Sequence, residues 1–335
     1  MFKYIVKRLL ISLLILFGVS IIIYTMVRLM PNDYVDLKFA TQLQTGAIKQ
    51  EDVDHFKELY GIGDSSFKGI ATGYFNWITN LLQRDLGDSF KYEKPVAQVI
   101  GENMWISFAI AVVATVLQFL IAIPLGISSA THQYSIRDYS VTVFTMIGLS
   151  LPTYFFAAIV IKVFAVDLGW LPANGLIDAG KSYADTFAGG VEKFGDIVRH
   201  LVLPIFVSVI LSIGGLMRYT RTNTLEVLGA DYIRTARAKG LSENKVIYVH
   251  AFRNTMIPLA TLLAGILPSL FGGMMITEQV FGIDGIGRLA YQALREGDIP
   301  FIMGYNMFLA ILTVIGTLCS DIMYSIVDPR VKLGK

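Results

Sequence analysis

The chain has 335 residues and a formal net charge of +2, with 54% hydrophobic residues, 16% charged residues and a mean hydropathy of +0.58. That balance excludes a pair of soluble domains and points to a polytopic membrane protein. So small a net charge says nothing of nucleic acid or acidic partners. The single cysteine, Cys319, excludes a disulfide framework or a cysteine metal site within the chain.

Six apolar runs of about 20 residues are long enough to cross the hydrocarbon. They are Leu9 to Leu29, Trp105 to Ser129, Tyr139 to Val166, Leu201 to Tyr219, Ile257 to Val280 and Met303 to Val327. Lys3, Lys7 and Arg8 precede the first run, and Arg218, Arg221, Arg234, Arg237, Lys239, Lys245 and Arg253 crowd the stretch between the fourth and fifth. The positive-inside rule places both stretches in the cytoplasm, and six spans then put both termini there, as Arg330, Lys332 and Lys335 agree. The first run is read as a retained helix, since no small-residue cleavage site follows it. The expected order is a cytoplasmic N-terminus and first span (1–30), an extracytoplasmic segment (31–104), a core of five spans (105–327) and a cytoplasmic tail (328–335). The core carries an outer loop at 167–199 and an inner loop at 221–256.

The segment after the first span is acidic in balance. Within it Tyr74, Trp77, Ile78, Leu81 and Leu82 are expected on one face of an amphipathic helix that Gly87 terminates. A packed cap is preferred here over direct substrate contact. The outer loop 167–199 is Gly-rich and reads as loop. Its Gly175, Gly180, Lys181 and Ser182 spell a phosphate-loop pattern, but no β-strand precedes it and the loop lies away from the ATP pool.

The spans carry hydroxyls and amides at Thr115, Gln118, Thr145, Ser150, Thr153, Ser208, Ser212, Thr261 and Asn306. These are candidates for lining a translocation pathway, with hydrogen bonding between helices as the plainer use. No acid or histidine is evident near the midplane, where an ion-driven carrier keeps one. Asp321 is the deepest acid, a turn or two from the inner face. The four histidines fall in loops or near span ends, so no Ser/His pair suggests an enzyme. Pro124, Pro152, Pro204 and Pro268 are read as static kinks. Glu278, at the outer end of the fifth span, and Gly282, Gly285 and Gly287 after it form either an outer gate or a plain loop.

The inner segment from Glu226 to Pro258 is polar, basic and helical between two apolar runs. Arg237 and Lys239 suit a helix C-terminus, Gly240 caps it, and Ser242 with Glu243 opens a second helix. The product is a helix, an elbow at Gly240 and Leu241, and another helix. Tethering by two spans excludes a DNA-reading role. With no intrinsic ion switch, such a surface implies a soluble partner that supplies energy.

At RTARAKG, Arg234 to Gly240, the chain resembles the EAA motif of bacterial ABC-importer permeases, in the form seen in dipeptide, oligopeptide and nickel permeases. VKRLLISLLILFGVSIIIYTMVRLMPND near the start, RDLGDSF at Arg84 to Phe90, TEQVFGIDGIGRL at Thr277 to Leu289 and YSIVDPR at Tyr324 to Arg330 extend the likeness to the first permease subunit of that group. Two features depart from the general motif: Arg234 and Thr235 stand where Glu and Ala are expected, and Pro258 falls late. The resemblance implies an all-α, six-span, type I ABC importer permease fold in a bacterial inner or plasma membrane. It implies that Arg234, Thr235, Ala236, Arg237, Lys239, Gly240 and Leu241 dock on a cytoplasmic ATPase. The implied partners are a homologous second permease, two ABC ATPase subunits that bind ATP and Mg, an extracytoplasmic substrate-binding protein, a peptide and membrane lipid. Neither a cofactor nor a metal is expected on this chain. Oligopeptides are the preferred cargo; dipeptides, nickel or metal chelates, or an ion-coupled secondary carrier are the alternatives.

Overall fold

The computed structural model describes residues 2–29, 39–40, 43–51, 53–54 and 66–327, without the side chains of 2–5, 67, 257, 260, 261, 263, 264 and 320–327. Every regular element among them is helical. In chain order they are α1 (Phe2–Arg28), α2 (Phe67–Leu82), α3 (Val96–Thr131), α4 (Ile136–Ser150) and α5 (Thr153–Val160), which runs on as a π-helical turn at Ile161–Asp167. Then follow α6 (Phe187–Leu228), α7 (Asp231–Ala238), α8 (Glu243–Lys245) with a π-helical turn at Val246–Ala251, α9 (Phe252–Phe271), α10 (Met275–Val280), α11 (Ile286–Glu296) and α12 (Ile299–Val327).

Among the described residues α1, α3, α6 and α12 are long and apolar enough to cross a membrane, and α4 with α5 makes a fifth candidate, bent by 105°. The third expected span is therefore broken. Pro152 excludes the helical region for the residue before it, and Leu151 is extended at φ −83°, ψ 129°. The expected run Ile257 to Val280 is also divided: α9 stops at Phe271, and Gly273, at φ +73°, turns the chain before α10. At 20 residues α9 still has the length of a crossing, about 30 Å.

Two helices outrun their apolar cores. α3 spans 36 residues and α6 spans 42, beginning at Phe187, so residues 187–199 are helix where a loop was expected. Gly189, Gly190 and Gly195 weaken the local helix signal there. Thr186 nevertheless caps the first turn, its hydroxyl accepting from the Gly189 N–H.

α3 and α6 form the centre of the fold, and glycines set how closely α6 and its neighbours approach. A Cβ on Gly126 of α3 would meet the Met217 carbonyl oxygen at 2.8 Å, and one on Gly214 of α6 would meet that of Thr145 at 2.6 Å. Beside this contact lies a groove of about 710 Å³ lined only by apolar residues of α3 and α6, including Val113, Leu117, Phe194 and Phe206, a surface suited to lipid.

α2 packs on the second half of α1. The Ser20 and Tyr74 hydroxyls are 2.8 Å apart, and Tyr24 packs against both Tyr74 and Trp77. Ile78 and Leu81 join that face, but Leu82 is 80% exposed. At 100° per residue Leu81 returns to the azimuth of Tyr74, whereas Leu82 lies about 80° round the helix. The helix ends before Gly87: Arg84, at φ +66°, takes the left-handed position.

Candidate functional site

The elbow is built by local sequence. α7 places Ile233, fully buried, and Ala236 on one face, packed with Val246 and Ala251 and with the partly buried Val227, Leu228 and Leu241. The underside of α7 is thus seated on the end of α6 and on the start of the run leading into α9. The Gly240 N–H donates to the Arg237 carbonyl at 2.9 Å and the Leu241 N–H to that of Ala236 at 3.4 Å. With Gly240 at φ +76° this is a Schellman cap, and Leu241 supplies its apolar contact. Among the described residues nothing lies within 4 Å of a Cβ on Gly240, so the glycine is required by its backbone angle and its surface is open.

Tyr232, Arg234, Thr235, Arg237 and Lys239 face outward. Arg237 grips Glu243 through two nitrogens, at 3.1 and 2.5 Å, which closes the elbow and holds the Glu243 carboxyl below its ordinary range. The Arg234 side chain is 74% exposed and pairs with Asp231 at 3.5 Å. Ser242 stands at the N-cap position of α8, yet its side chain makes no cap hydrogen bond. The second helix expected there is the first part of the continuous run into α9.

At the other end of the fold the motif from Thr277 to Leu289 closes around Glu278, which is 1% exposed. Its carboxylate accepts from Ser107 Oγ at 2.7 Å and from the N–H groups of Met274 and Arg288, each at 2.9 Å. Ser107 Oγ accepts from the Ile286 N–H at 2.9 Å. Gly285, the N-cap of α11, has no side chain to satisfy that terminus, so α10 and α3 cap the helix from outside. A Cβ on Gly285 would strike Ser107 Oγ and reach 2.5 Å from the Glu278 carboxylate, and one on Gly287 would lie 2.8 Å from the Met275 nitrogen. Gly282, at φ +63°, forms the preceding turn, where the Gly175 N–H donates to the Phe281 carbonyl at 2.9 Å. The four outer-gate candidates therefore lie in one knot. The phosphate-loop lookalike is an irregular run of bends and a turn tied to it through Gly175, and its Lys181 pairs with Glu192 at 3.1 Å.

A cleft of about 380 Å³ opens between α3, α6 and α9, with Thr115, Gln118, Tyr219, Leu262, Ile266 and Ser269 among its lining. Of the pathway candidates Thr115 and Gln118 line it, the Gln118 amide also donating to the Ser212 carbonyl at 3.0 Å. Thr145, Ser150, Ser208, Ser212 and Asn306 donate to carbonyls three or four residues back in their own helices. Thr153 opens α5. Thr261 lies in α9 with its side chain outside the described residues, as is that of Asp321 in α12.

A family model of the binding-protein-dependent transport system inner membrane component matches residues 122–333. The chain belongs to this family. It is 36% identical over 333 residues to the oligopeptide transport system permease protein AppB of Bacillus subtilis (strain 168), covering 99% of this chain and all of that relative. It is 30% identical over 341 residues to the dipeptide transport system permease protein DppB of Alkalihalophilus pseudofirmus, again covering 99% of this chain and all of the relative. Among solved structures the inward-facing MetNI methionine ABC transporter matches with a TM-score of 0.52 at 17% identity, over 69% of this chain and 97% of that one. This inner membrane component is a multi-pass membrane protein with the type I importer permease fold.

Sequence reasoning missed two ties in this inner membrane component. Asp298, fully buried, opens α12 and accepts from Ser89 Oγ at 2.5 Å and from the Phe90 and Lys91 N–H groups at 3.2 and 3.1 Å. It clips the RDLGDSF stretch to the start of the last span. Tyr92 follows, its hydroxyl donating to the Leu289 carbonyl; burial and the Asp298 charge push that phenol above its ordinary range. Near the opposite ends of the helices Asp138 in α4 accepts from Arg221 of α6 at 2.9 and 2.8 Å and from Ser129 of α3. Each tie includes partners remote in sequence, and both acids stand close to other charged residues at the edge of an apolar run, with no local signal of burial.

Proposed function

We propose that this chain is one membrane-spanning subunit of an ATP-driven peptide importer, with oligopeptides as the preferred cargo. The observation that carries the reading is the elbow: a polar, cationic outer face on a short helix whose underside is seated on the ends of α6 and α9. A push on so firmly seated a helix is transmitted to both, and both line the cleft that holds Gln118 and Thr115. ATP and Mg bound by two cytoplasmic ATPase subunits supply the push, and Gly240 gives the ATPase groove an unobstructed approach. A homologous second permease completes the passage and an external binding protein delivers the peptide. Both termini then lie in the cytoplasm of a bacterial cell, and the Glu278 knot faces outward. Likeness to AppB and DppB supports peptides as cargo, and the higher identity to AppB favours oligopeptides.

The test is gentle purification of the tagged chain from its native membrane, with mass spectrometry of co-purifying subunits and retained small molecules, then uptake in liposomes. A second permease, ATPases and a ladder of peptides are expected. A single dipeptide or a metal chelate redirects the cargo. Reproducible purification alone, with uptake intact, refutes the importer reading.

A further inference from the structure

The stretch between α5 and α6 is tied to α6 by a polar cluster whose residues are neither in the lining of the Gln118 cleft nor among the partners of Glu278. Asp178, Asp196 and His200 each offer a ligand atom, all within 4.8 Å of one another. Asp196 and His200 lie four apart in α6, with side chains only 4% and 2% exposed. His200 Nδ1 is 2.9 Å from the Asp196 carbonyl oxygen. A carbonyl only accepts, so Nδ1 carries a proton and Nε2 is the ring atom available to a ligand. That nitrogen has no hydrogen-bond partner among the described residues and stands 3.7 Å from Asp178 Oδ1, too far for one. The Tyr183 hydroxyl and the Asp178 N–H, the latter at 2.9 Å, both donate to Asp196 Oδ2. Outer partners orient a metal-binding carboxylate in this way, and a backbone carbonyl fixes the tautomer of a metal-binding histidine.

An imidazole that is only 2% exposed and faces two carboxylates is stabilised when a cation stands between them. We propose that Asp178, Asp196 and His200 bind a divalent transition-metal ion, zinc by preference, and so pin the stretch before α6 to that helix. One imidazole with two carboxylates suits zinc and leaves a fourth position for water, whereas calcium and magnesium favour oxygen alone. Ligands about 2.1 Å from a common ion stand ~3.4 Å apart in a tetrahedron. The 3.7 Å between Nε2 and Oδ1 is already near that spacing. Because the Gly175 N–H is bonded to the Phe281 carbonyl, the ion also steadies the turn that leads into the Glu278 knot.

The experiment uses the full-length chain purified with its partner subunits through a histidine-free tag, stripped with EDTA, dialysed and titrated with zinc chloride by calorimetry. Saturable binding of one zinc per copy of this chain is expected, weakened at least tenfold in Asp178→Asn and in His200→Gln. Asp178 is 46% exposed, so its variant leaves the fold intact and separates ligand loss from misfolding. Hydrogen exchange supplies a second readout: zinc should slow exchange across residues 174–183 of the parent and not of Asp178→Asn. Equal binding by parent and variant, or none by the parent, overturns the proposal. So does the same protection produced in EDTA by acidification alone, which assigns a proton to His200.

Discussion

Replacing Glu278 tests whether the outer knot is held by a charge. The carboxylate takes three hydrogen bonds, and its two N–H donors, those of Met274 and Arg288, flank a site that is 1% exposed. In Glu278→Gln the amide oxygen keeps the bonds from Ser107 and Met274, but its NH2 group faces the Arg288 N–H, donor against donor. One bond to a charged group is lost, at about 1.5–3 kcal/mol. In Glu278→Ala both N–H groups lose their acceptor, at about 1–3 kcal/mol each, and the lost side-chain volume adds a cavity term of about 2 kcal/mol, for roughly 4–8 kcal/mol in total. Thermal and denaturant unfolding in detergent should therefore rank parent, Gln and Ala in that order, with the Ala variant close to unfolded. A double-mutant cycle with Ser107→Ala should show coupling of about 1 kcal/mol or more, since both side chains cap α11. A Gln variant as stable as the parent, with zero coupling, would refute the capping argument.

A Cβ at Gly240 meets no described residue within 4 Å, so the cost in stability of Gly240→Trp should be chiefly the left-handed backbone strain of about 1–2 kcal/mol, while ATP-driven uptake should fall to background. Gly240→Asn, which tolerates that angle, should keep most activity; uptake by the Trp variant at the parental rate would remove the elbow as the docking surface. Asp138→Ala should destabilise by about 3–5 kcal/mol, because it leaves the Arg221 guanidinium uncompensated, whereas joint replacement of both by leucine should recover much of the loss in an unfolding assay. Burial and the hydrogen bond to Asp196 push the Tyr183 phenol up to about 12. The folded state then favours the protonated phenol, and this contribution is complete below pH 10 and lost as pH rises toward 12. The difference absorbance between the parent and Tyr183→Phe should show phenolate forming near pH 12, and nearer 10 once Asp196 is Asn.

Apolar composition alone was enough to locate α1, α3, α6 and α12, because lipid demands continuous hydrophobic sequence. It misplaced their ends, since α3 from Val96 and α6 from Phe187 continue as helix beyond the apolar core, where protein packing replaces lipid. The breaks at Pro152 and Gly273 carried signals in the residues themselves, a proline and a paired glycine, yet apolar runs on both sides concealed them. The elbow was legible because a Schellman cap is written in neighbouring residues. Ser107 with Glu278, and Ser89 with Asp298, were not, because the partners are 171 and 209 residues apart.

The placement of buried charge bears on energy coupling. A carrier driven by protons or sodium needs a titratable group that the transported ion can reach along the pathway. Among the described residues Asp138 and Glu278 each accept at least three hydrogen bonds and Asp298 binds the stretch from Ser89 to Lys91, so each joins separate elements. Among the described residues no Asp, Glu, His, Lys or Arg lines the cleft that holds Gln118. Protonating such an acid would loosen the fold rather than open a passage. Peptide uptake by liposomes containing the assembled complex and internal ATP should therefore persist when a protonophore and a sodium ionophore collapse both gradients, and cease when ATP is replaced by a non-hydrolysable analogue. Uptake that follows the ionophores instead would mean that one of these acids titrates during transport, and the elbow would lose its role as the source of force.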